Sequence, residues 1–324
     1  MKFIDMHCDT LMPFAQGGEY NIYQNDRSVD FLKMKKGGQL AQFFAMFILP
    51  DAAWERYGRE PMSHMEYIDC LHAGFRRDLA AHSDLIAYAG NYEDLKANEA
   101  AGKMSAFLTI EDGVPVDGKM ENLQKFYDMG VRLISLTWNF PNCFGFPNSK
   151  DPEIMSKGLT AFGCEAVERM NELGMLVDVS HLSDGGFMDV ARISKKPFVA
   201  SHSNCRALSP HQRNMTDEMV KILGEKGGVA GINFGPEFLN ADVTCKDSTV
   251  ILMSKHMQHM KNIGGIDMVA LGSDFDGIGG NLEVSDCSKM EMLFDQMKKD
   301  GFTESEIEKV AYLNAERVIR EAMK

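Results

Sequence analysis

Residues that can bind metal ions or transfer protons stand directly after six of the short apolar runs in this 324-residue sequence. Each run has the composition of a buried β-strand, so each polar group falls at the carboxyl end of a predicted strand. Barrels of parallel strands carry their catalytic residues at that end, and the repeated position therefore predicts one convergent site. In chain order the groups are His7-Cys8-Asp9, Glu111-Asp112, Thr137-Trp138-Asn139, Ser180-His181, Ser201-His202 and Ser273-Asp274-Phe275-Asp276.

The first two groups contain a possible pair of metal ligands and a buried carboxylate. Alternate side chains of an extended segment share a face, so His7 and Asp9 are directed together while Cys8 points the other way. Glu111 closes the apolar run 106–110, and burying its carboxylate without a counter-charge would be costly. A cation must therefore be near Glu111. A salt bridge to Lys or Arg is one interpretation, and a carboxylate that bridges two metal ions is the other.

Two histidines follow neighbouring predicted strands. The neutral imidazoles of His181 and His202 can complete the coordination of a second ion together with Glu111. Either histidine alone would more often be a core or capping residue, but both beside several carboxylates predict metal ligands. The histidines in helices and outer loops are predicted to be solvated surface residues: His64, His72, His82, His256 and His259.

Proton transfer and substrate binding have separate candidates. Asp274 stands at the rim of the last predicted strand, where a carboxylate can take a proton from water and return it to a leaving amine. Asp276 precedes Gly277, and this pair predicts a turn. Arg206 and Arg213 follow the sixth predicted strand, where a guanidinium can bind a substrate carboxylate through paired hydrogen bonds.

The elements that position these residues follow a strand–helix alternation along the whole chain. Apolar runs predict eight strands at 3–6, 42–48, 105–110, 131–136, 176–179, 198–200, 229–233 and 268–271. Amphipathic segments at 62–82, 121–128, 159–173, 216–223 and 248–263 predict crossover helices. This pattern indicates an α/β protein with a parallel sheet, and eight strands favour a (β/α)₈ TIM barrel. An extra strand at 85–90 and an extra C-terminal helix within 301–324 are also expected. An open doubly wound sheet is the alternative, which the lack of a Gly-rich loop after the first strand disfavours.

Composition limits the classes of partner and location. A formal net charge of −13 argues against nucleic-acid and anionic-membrane partners, which need a concentrated positive face. No Gly-, Pro- or Ser-rich linker interrupts the alternation, so residues 1–324 are predicted to form one catalytic domain. The sequence shows no signal peptide and no long apolar span. Seven scattered cysteines without a Cys-x-x-Cys pair argue against a thiolate zinc site and favour a cytoplasmic protein with free thiols.

Taken together, these motifs resemble the membrane dipeptidase family, also called renal dipeptidase, among the amidohydrolase-like metal barrels. The similarity extends nearly end to end, in the family's order and approximate spacing. It rests on His7-Cys8-Asp9-Thr10, Glu111-Asp112-Gly113, Asp178-Val179-Ser180-His181, Ser201-His202-Ser203, Arg213-Asn214 and Gly272-Ser273-Asp274-Phe275-Asp276-Gly277.

The resemblance implies a metal-dependent dipeptidase with two zinc ions per chain. One ion would be bound by His7, Asp9 and Glu111, and the other by Glu111, His181 and His202. Glu111 would thus be a bridging, catalytic carboxylate. A zinc-activated water would hydrolyse dipeptides, including those with a D-residue at the C-terminal position, and a homodimer is a further expectation of the family.

The resemblance also assigns roles at the substrate. Asp274 would be the acid/base residue, and Arg213 would bind the C-terminal carboxylate. This chain departs from the mammalian members after the fourth strand, where Trp138 and Asn139 stand in place of a histidine that polarises the carbonyl. That role would pass to Asn139 or to the metals alone. The secretory leader and membrane anchor of those members are absent, as expected for a cytoplasmic, bacterial-type member.

Two alternatives remain open at this level. A deaminase or a phosphotriesterase-like barrel uses similar ligands, but typically begins with His-x-His and often bridges its ions with a carboxylated lysine on the fourth strand. Here the first pair is His7 and Asp9, and the fourth strand ends in Thr137 and Trp138. A barrel that has lost catalysis and only binds a ligand is the alternative from a different class.

Overall fold

The computed structural model describes residues 1–17, 19–50, 54 and 62–324. Within them, eight parallel strands form a closed barrel. The strand Gln39–Phe47 closes it by pairing with the strand Met104–Glu111, from Ala41↔Ser105 to Phe47↔Glu111. All eight predicted strands are present, so the (β/α)₈ barrel is confirmed and the open sheet was the wrong alternative. The described strands are β1 (Phe3–Cys8), β2 (Gln39–Phe47), β3 (Ile86–Tyr88), β4 (Met104–Glu111), β5 (Val131–Ser135), β6 (Leu176–Asp178), β7 (Val199–Ala200), β8 (Val229–Ile232), β9 (Asp247–Ser248), β10 (Val269–Leu271) and β11 (Asn281–Leu282). The eight barrel strands follow one another in space in the order β2-β1-β10-β8-β7-β6-β5-β4, and β9 pairs separately with β11.

Helices connect the strands and cover the outside of the barrel. The five predicted crossover helices are all observed, at His64–Ala81, Met120–Met129, Ala161–Leu173, Asp217–Glu225 and Val250–Gly264. Four of them begin at a Ser or Thr whose side chain accepts a backbone N–H of the first turn: Ser63, Thr160, Thr216 and Thr249. The described helices are α1 (Phe31–Gly37), α2 (His64–Ala81), α3 (Tyr92–Ala100), α4 (Met120–Met129), α5 (Pro152–Met155), α6 (Ala161–Leu173), α7 (Asp184–Ile193), α8 (Asp217–Glu225), α9 (Pro236–Leu239), α10 (Val250–Gly264), α11 (Glu291–Lys299), α12 (Glu304–Glu308) and α13 (Asn314–Ala322).

The barrel wall is buried on both faces. Every residue of β1, β2 and β4 is buried, as expected for apolar runs with one face in the barrel and the other under helices. Inside, the rings of Phe43 and Phe107 stack with centroids 4.5 Å apart. The predicted extra strand is β3, which pairs with the start of β4.

The C-terminal segment closes the end of the barrel where the strands begin. Helix α13 contacts β1, β8 and β10. Its first residue, Asn314, donates hydrogen bonds of 2.8 Å to the carbonyls of Ile266 and Val269 at the start of β10. The predicted terminal helix is therefore confirmed, and it lies at the end opposite to the polar strand termini.

One histidine predicted to be solvated is instead buried. His256 is fully enclosed on α10, where its Nδ1 accepts the backbone N–H of Cys205 (3.1 Å) and its Nε2 lies 3.1 Å from the carbonyl of Leu239. Burial lowers the pKa of His256 to about 4, so the ring is neutral and can make both bonds. The surface prediction was wrong here because helix periodicity does not reveal a polar partner on another element.

The structure also bears on the predicted free thiols, the other outer histidines and the predicted lack of a membrane span. All seven cysteines are free thiols. The four other outer histidines are partly exposed, as predicted. Among the described helices, none combines the length and the apolar composition needed to cross a lipid bilayer.

Candidate metal centre

The five predicted metal ligands meet at the rim where the strands end. His7 lies in β1 and Asp9 directly follows it, Glu111 ends β4, and His181 and His202 follow β6 and β7. The Nε2 atom of His7 lies 3.1 Å from Oε2 of Glu111 and 3.7 Å from Oδ1 of Asp9. Residues that are up to 195 positions apart therefore form one buried cluster, which we call the candidate metal centre.

The second half of the candidate metal centre contains the two later histidines. The Nε2 atom of His181 lies 3.0 Å from Oε1 of Glu111, and that of His202 lies 3.6 Å from the same oxygen. The two histidine nitrogens are 3.1 Å apart. One oxygen of Glu111 thus faces His7 and the other faces the histidine pair. This geometry suits a carboxylate that bridges two cations.

An unusual backbone conformation directs two of the functional side chains. His181 has φ 70° and Asp274 has φ 63°, in the left-handed region that residues with a Cβ seldom occupy. Such residues cost about 1–3 kcal/mol each and cluster at functional sites. Each stands three positions after the end of a short strand, so the chain turns sharply there and presents the side chain to the barrel mouth.

Burial and neighbouring charges shift the pKa values of the side chains in the candidate metal centre. Burial, and then the Asp9 carboxylate, raise the pKa of Glu111, and burial also raises the pKa of Asp274. Burial lowers the pKa of His7, but the carboxylates of Glu111 and Asp9 outweigh it, so the net shift is upward. Burial lowers the pKa values of His181 and His202 well below the usual range. The site therefore combines two carboxylates that resist ionisation, Glu111 and Asp274, with the two neutral imidazoles of His181 and His202.

The donor atoms fit divalent metal ions. Oδ1 of Asp9 is buried without a hydrogen-bond partner among the described residues, which is costly for a carboxylate unless a cation is present. Two nitrogens bound to one tetrahedral zinc would lie about 3.3 Å apart, given Zn–N bonds of about 2.0–2.1 Å. The observed separation of 3.1 Å between His181 and His202 agrees with this. Imidazole and carboxylate ligands suit zinc and neighbouring transition metals.

Two buried aspartates hold the strands that carry the ligands. Asp178, at the end of β6, accepts hydrogen bonds from the hydroxyl (2.6 Å) and N–H (2.9 Å) of Ser201 and from the N–H of Ser180 (2.9 Å). The Ser201 hydroxyl in turn lies 2.7 Å from Nδ1 of His202. Asp178 therefore orients the His202 ring through Ser201, as groups around metal ligands commonly do.

Asp5 has the corresponding position in β1. It accepts hydrogen bonds from the hydroxyl (2.6 Å) and N–H (2.8 Å) of Ser273, which precedes Asp274. Sequence reasoning assigned no role to Asp5, and it did not recognise Asp178 as a support. One sequence feature could have identified them as supports: each is an aspartate inside an apolar strand, two positions before a polar strand end.

Asp274 lies beside the first half of the centre. Its Oδ1 is 3.9 Å from Nε2 of His7, and its Oδ2 accepts a hydrogen bond of 2.7 Å from Asn233. Asn233, which sequence reasoning missed, therefore leaves one oxygen of Asp274 available for proton transfer. Asp276 instead accepts bonds from the Thr10 hydroxyl (2.6 Å) and the Ser28 N–H (2.8 Å), in agreement with the predicted turn.

Position 277 requires glycine because the carboxylates of Asp9 and Asp274 lie very close to its backbone. A Cβ atom at this position would lie 2.0 Å from Oδ2 of Asp9 and 2.7 Å from Oδ1 of Asp274. No side chain other than hydrogen fits there without displacing a carboxylate of the site. The Asp-Gly pair therefore does more than form a turn, because it also allows Asp9 and Asp274 to approach each other.

Two adjoining cavities open onto the centre and share walls formed by Asn139, His181, Glu237 and Phe238. The first, of about 430 Å³, is the acidic cavity, and Trp138 belongs to its apolar wall. The second, of about 480 Å³, is the basic cavity. Additional residues around the acidic cavity are Asp9, Met12, Phe47, Leu49, Pro50, Glu111, Asp274, Asp276, Gly277 and Ile278. Additional residues around the basic cavity are Asn148, Ser149, Lys150, His211, Gln212 and Arg213.

The predicted substrate-binding residues fall into two groups. Arg213, Asn139 and Trp138 line the cavities, and Oδ1 of Asn139 lies 3.4 Å from Nδ1 of His181. Arg206 does not line either cavity. Its guanidinium forms a two-point ion pair with Asp184, at 2.7 and 2.8 Å, and donates to backbone carbonyls of its own loop. This geometry supports a role in loop structure and not in substrate binding.

Arg213 is buried but keeps donors available. Its guanidinium donates to the Ser203 hydroxyl (2.6 Å) and to the carbonyl of His202 (2.9 Å), while Nε has no hydrogen-bond partner among the described residues. Burial lowers the pKa of Arg213 to about 10, so the group still carries its charge at neutral pH. A buried cation beside His202, a predicted metal ligand, is suited to bind an anionic group of a substrate.

Comparison with known proteins identifies the family and the fold. The family model of membrane dipeptidase (peptidase family M19) matches residues 1–324. An uncharacterized dipeptidase of Schizosaccharomyces pombe is 31% identical over 299 residues, which cover 89% of this chain and 71% of that protein. A metallo peptidase from Rhodobacter sphaeroides, liganded with a phosphinate mimic of the dipeptide L-Ala-D-Ala, is 24% identical with a TM-score of 0.89 over 99% of each chain. Dipeptidase AC, a metallo peptidase of family M19, is 24% identical with a TM-score of 0.88 over 100% of this chain and 99% of that one. The chain therefore belongs to the membrane dipeptidase family, peptidase family M19.

Proposed function

We propose that this protein hydrolyses dipeptides with two zinc ions bound at the candidate metal centre. The observation that carries the proposal is the position of Glu111, whose two oxygens face His7 on one side and His181 on the other at 3.1 and 3.0 Å. His7, Asp9 and Glu111 would bind one ion, and Glu111, His181 and His202 the other. Family membership and the polar lining of the two cavities support a small peptide as the substrate.

When bound, a zinc pair supplies a nucleophilic water at neutral pH and polarises the peptide carbonyl. Asp274 accepts a proton from the attacking water at Oδ1 and delivers it to the leaving amine nitrogen. Asn233 holds Oδ2 at 2.7 Å and so keeps Oδ1 directed at the reaction. Burial raises the pKa of Asp274, which makes the carboxyl able both to take and to return a proton near neutral pH.

The substrate is oriented by side chains outside the centre. Arg213 binds its C-terminal carboxylate, which places the last peptide bond of the substrate at the candidate metal centre. Asn139, which lines both cavities, takes the place of the missing histidine near the peptide carbonyl. Trp138 packs edge-on against Phe47, with ring centroids 4.9 Å apart, and contributes an apolar wall.

Tolerance for a C-terminal D-residue forms part of the proposal. The R. sphaeroides protein was liganded with a mimic of L-Ala-D-Ala and shares the fold over nearly the whole chain. A carboxylate held by Arg213 leaves the side chain of the last residue to occupy the open basic cavity. We expect that space to accept either configuration.

The remaining proposals concern the molecule as a whole. We propose that residues 1–324 form one catalytic domain, since β1 pairs with β10 and α13 packs on both. The cytoplasmic location and the homodimer stay predictions.

The direct test combines metal analysis with a peptide panel. Purified protein is assayed for zinc by elemental analysis, and then for hydrolysis of L-Ala-L-Ala, L-Ala-D-Ala, the C-terminal amide of L-Ala-L-Ala, and Ala-Ala-Ala, with and without a chelator. We expect two zinc ions per chain, cleavage of free dipeptides of both C-terminal configurations, and loss of activity with the chelator.

Arg213→Ala should raise the KM for Ala-Ala far more than the KM for its amide. Equal effects on both peptides would contradict carboxylate binding by Arg213. Bound zinc without cleavage of any dipeptide would instead support the non-catalytic barrel.

A further inference from the structure

The two cavities beside the candidate metal centre differ in charge. The acidic cavity is lined by five carboxylates, Asp9, Glu111, Glu237, Asp274 and Asp276, and by an apolar wall. The basic cavity shares Glu237 and adds the cations of Arg213 and Lys150. A dipeptide is itself a dipole with an ammonium at one end and a carboxylate at the other. Charge complementarity therefore places its N-terminal residue in the acidic cavity and its C-terminal residue in the basic cavity.

Lys150 is held close to the centre by its loop. The backbone N–H of Asn148 donates to the carbonyl of His181 at 2.7 Å, and its side-chain amide donates to the same oxygen at 3.1 Å. A bridge between Pro147 and Leu182 adds a further tie between the two loops. The position of Lys150 is thus coupled directly to the loop that carries a predicted metal ligand.

The ammonium group of Lys150 forms no ion pair and no hydrogen bond with the described part of the chain. Lys119, by contrast, forms an ion pair with Asp117 at 2.6 Å. The pKa of His211, in the wall of the same cavity, is lowered first by burial and then by Arg213, with Lys150 contributing in the same direction. When the terminal carboxylate occupies Arg213, Lys150 is the remaining cation among the residues that line this cavity, and Glu237, in the wall shared with the acidic cavity, is the carboxylate among them.

We propose that the basic cavity selects dipeptides whose C-terminal residue has an acidic side chain, and that Lys150 is the specificity-determining residue. This inference rests on the proposed dipeptidase function and extends it from peptide length to side-chain class. Arg213 would bind the α-carboxylate common to all dipeptides, while Lys150 binds the side-chain carboxylate of aspartate or glutamate. Uncharged polar neighbours of Lys150, Asn148, Ser149 and Gln212, can donate hydrogen bonds to the same group.

The matched substrates for the test are Ala-Asp and Ala-Asn, which have nearly equal size and differ in charge, together with Ala-Lys. For the zinc-loaded protein we expect kcat/KM for Ala-Asp to exceed that for Ala-Asn by about fivefold, the upper range for a partly exposed ion pair. Ala-Lys should be the poorest of the three.

Lys150→Glu should lower the ratio of Ala-Asp to Ala-Asn by about tenfold or more, because attraction becomes repulsion. The control is Lys195→Glu, which makes the same charge change on an exposed lysine before β7, at the opposite end of the barrel, and should leave the ratio unchanged.

Binding is measured in parallel by calorimetry with the zinc-loaded Asp274→Asn variant, with and without Lys150→Glu. Tighter binding of Ala-Asp than of Ala-Asn that depends on Lys150 supports the inference even if the wild-type protein cleaves no dipeptide, in which case the proposed function alone fails. Equal binding and cleavage of Ala-Asp and Ala-Asn, with no effect of Lys150→Glu, overturns the inference while leaving the dipeptidase function intact.

Discussion

The Nε2 atoms of His181 and His202 lie 3.1 Å apart in the mouth of the barrel. Burial lowers the pKa of both rings, so each is neutral near pH 7 and each has one nitrogen available as an acceptor. The other nitrogen of His202 lies 2.7 Å from the Ser201 hydroxyl, which holds that ring in place. Two ring nitrogens at this separation, both close to Oε1 of Glu111, are suited to bind one cation between them.

Replacing either histidine by alanine should therefore remove about one metal ion per chain and leave the other ion bound. Elemental analysis of purified His181→Ala and His202→Ala measures this directly. His259→Ala is the matched control, because this partly exposed histidine pairs with Asp217 on the outside of the barrel. Wild-type metal content in both site variants would rule out the histidine pair as ligands.

Asp274→Asn should retain both ions and the fold but lower kcat by about a hundredfold to ten-thousandfold, the usual contribution of general acid–base catalysis. Asparagine has nearly the same shape as aspartate but cannot accept and return a proton. The measurement is steady-state hydrolysis of Ala-Ala together with metal content and thermal unfolding. Near-normal turnover in a fully metal-loaded variant would refute the proton-transfer role.

Gly277→Ala should weaken metal binding by about tenfold or more, because the added Cβ would lie 2.0 Å from Oδ2 of Asp9. Competition with a chromophoric chelator gives the affinity. Gly279→Ala is the control, since no heavy atom lies within 4 Å of a Cβ at that position. Equal affinities for the two variants would show that the site tolerates the methyl group.

The metal-free protein should lose stability as the pH rises from 7 to 9. Burial raises the pKa of Glu111 from 4.5 to about 8 and that of Asp274 from 3.8 to about 7. The folded state then binds these protons more tightly than the unfolded state, so the stabilisation present below pH 4 declines as the pH passes through 7 and 8. His181 and His202 have lowered pKa values and act in the opposite direction, but only below their ordinary pKa of 6.5.

Urea unfolding of the metal-free protein at pH 7, 8 and 9 tests this expectation. A decrease of about 1 kcal/mol per pH unit near pH 7 is expected for one such proton. The zinc-loaded protein serves as the comparison and should change less, because a cation compensates the carboxylates. A metal-free protein whose stability rises over this range would contradict the assignment.

The order of the elements could be predicted because each depends on local properties of the chain. Eight apolar runs, five amphipathic segments and the polar residues after the strands all appear in the sequence, and parallel strands oblige their carboxyl ends to share a rim. That constraint was enough to predict that His7, Asp9, Glu111, His181 and His202 converge.

Only the tertiary structure decided which polar residues face the centre and which serve other parts of the fold. Arg206 and Arg213 stand in one loop with similar surroundings in sequence, yet Arg206 pairs with Asp184 and Arg213 lines the basic cavity. His256 is enclosed by backbone partners contributed by other segments, and Lys150 reaches the site because its loop is bonded to that of His181. Strand periodicity sets the side of a sheet on which a residue lies, whereas its partners depend on loops that fold back from distant positions in the chain.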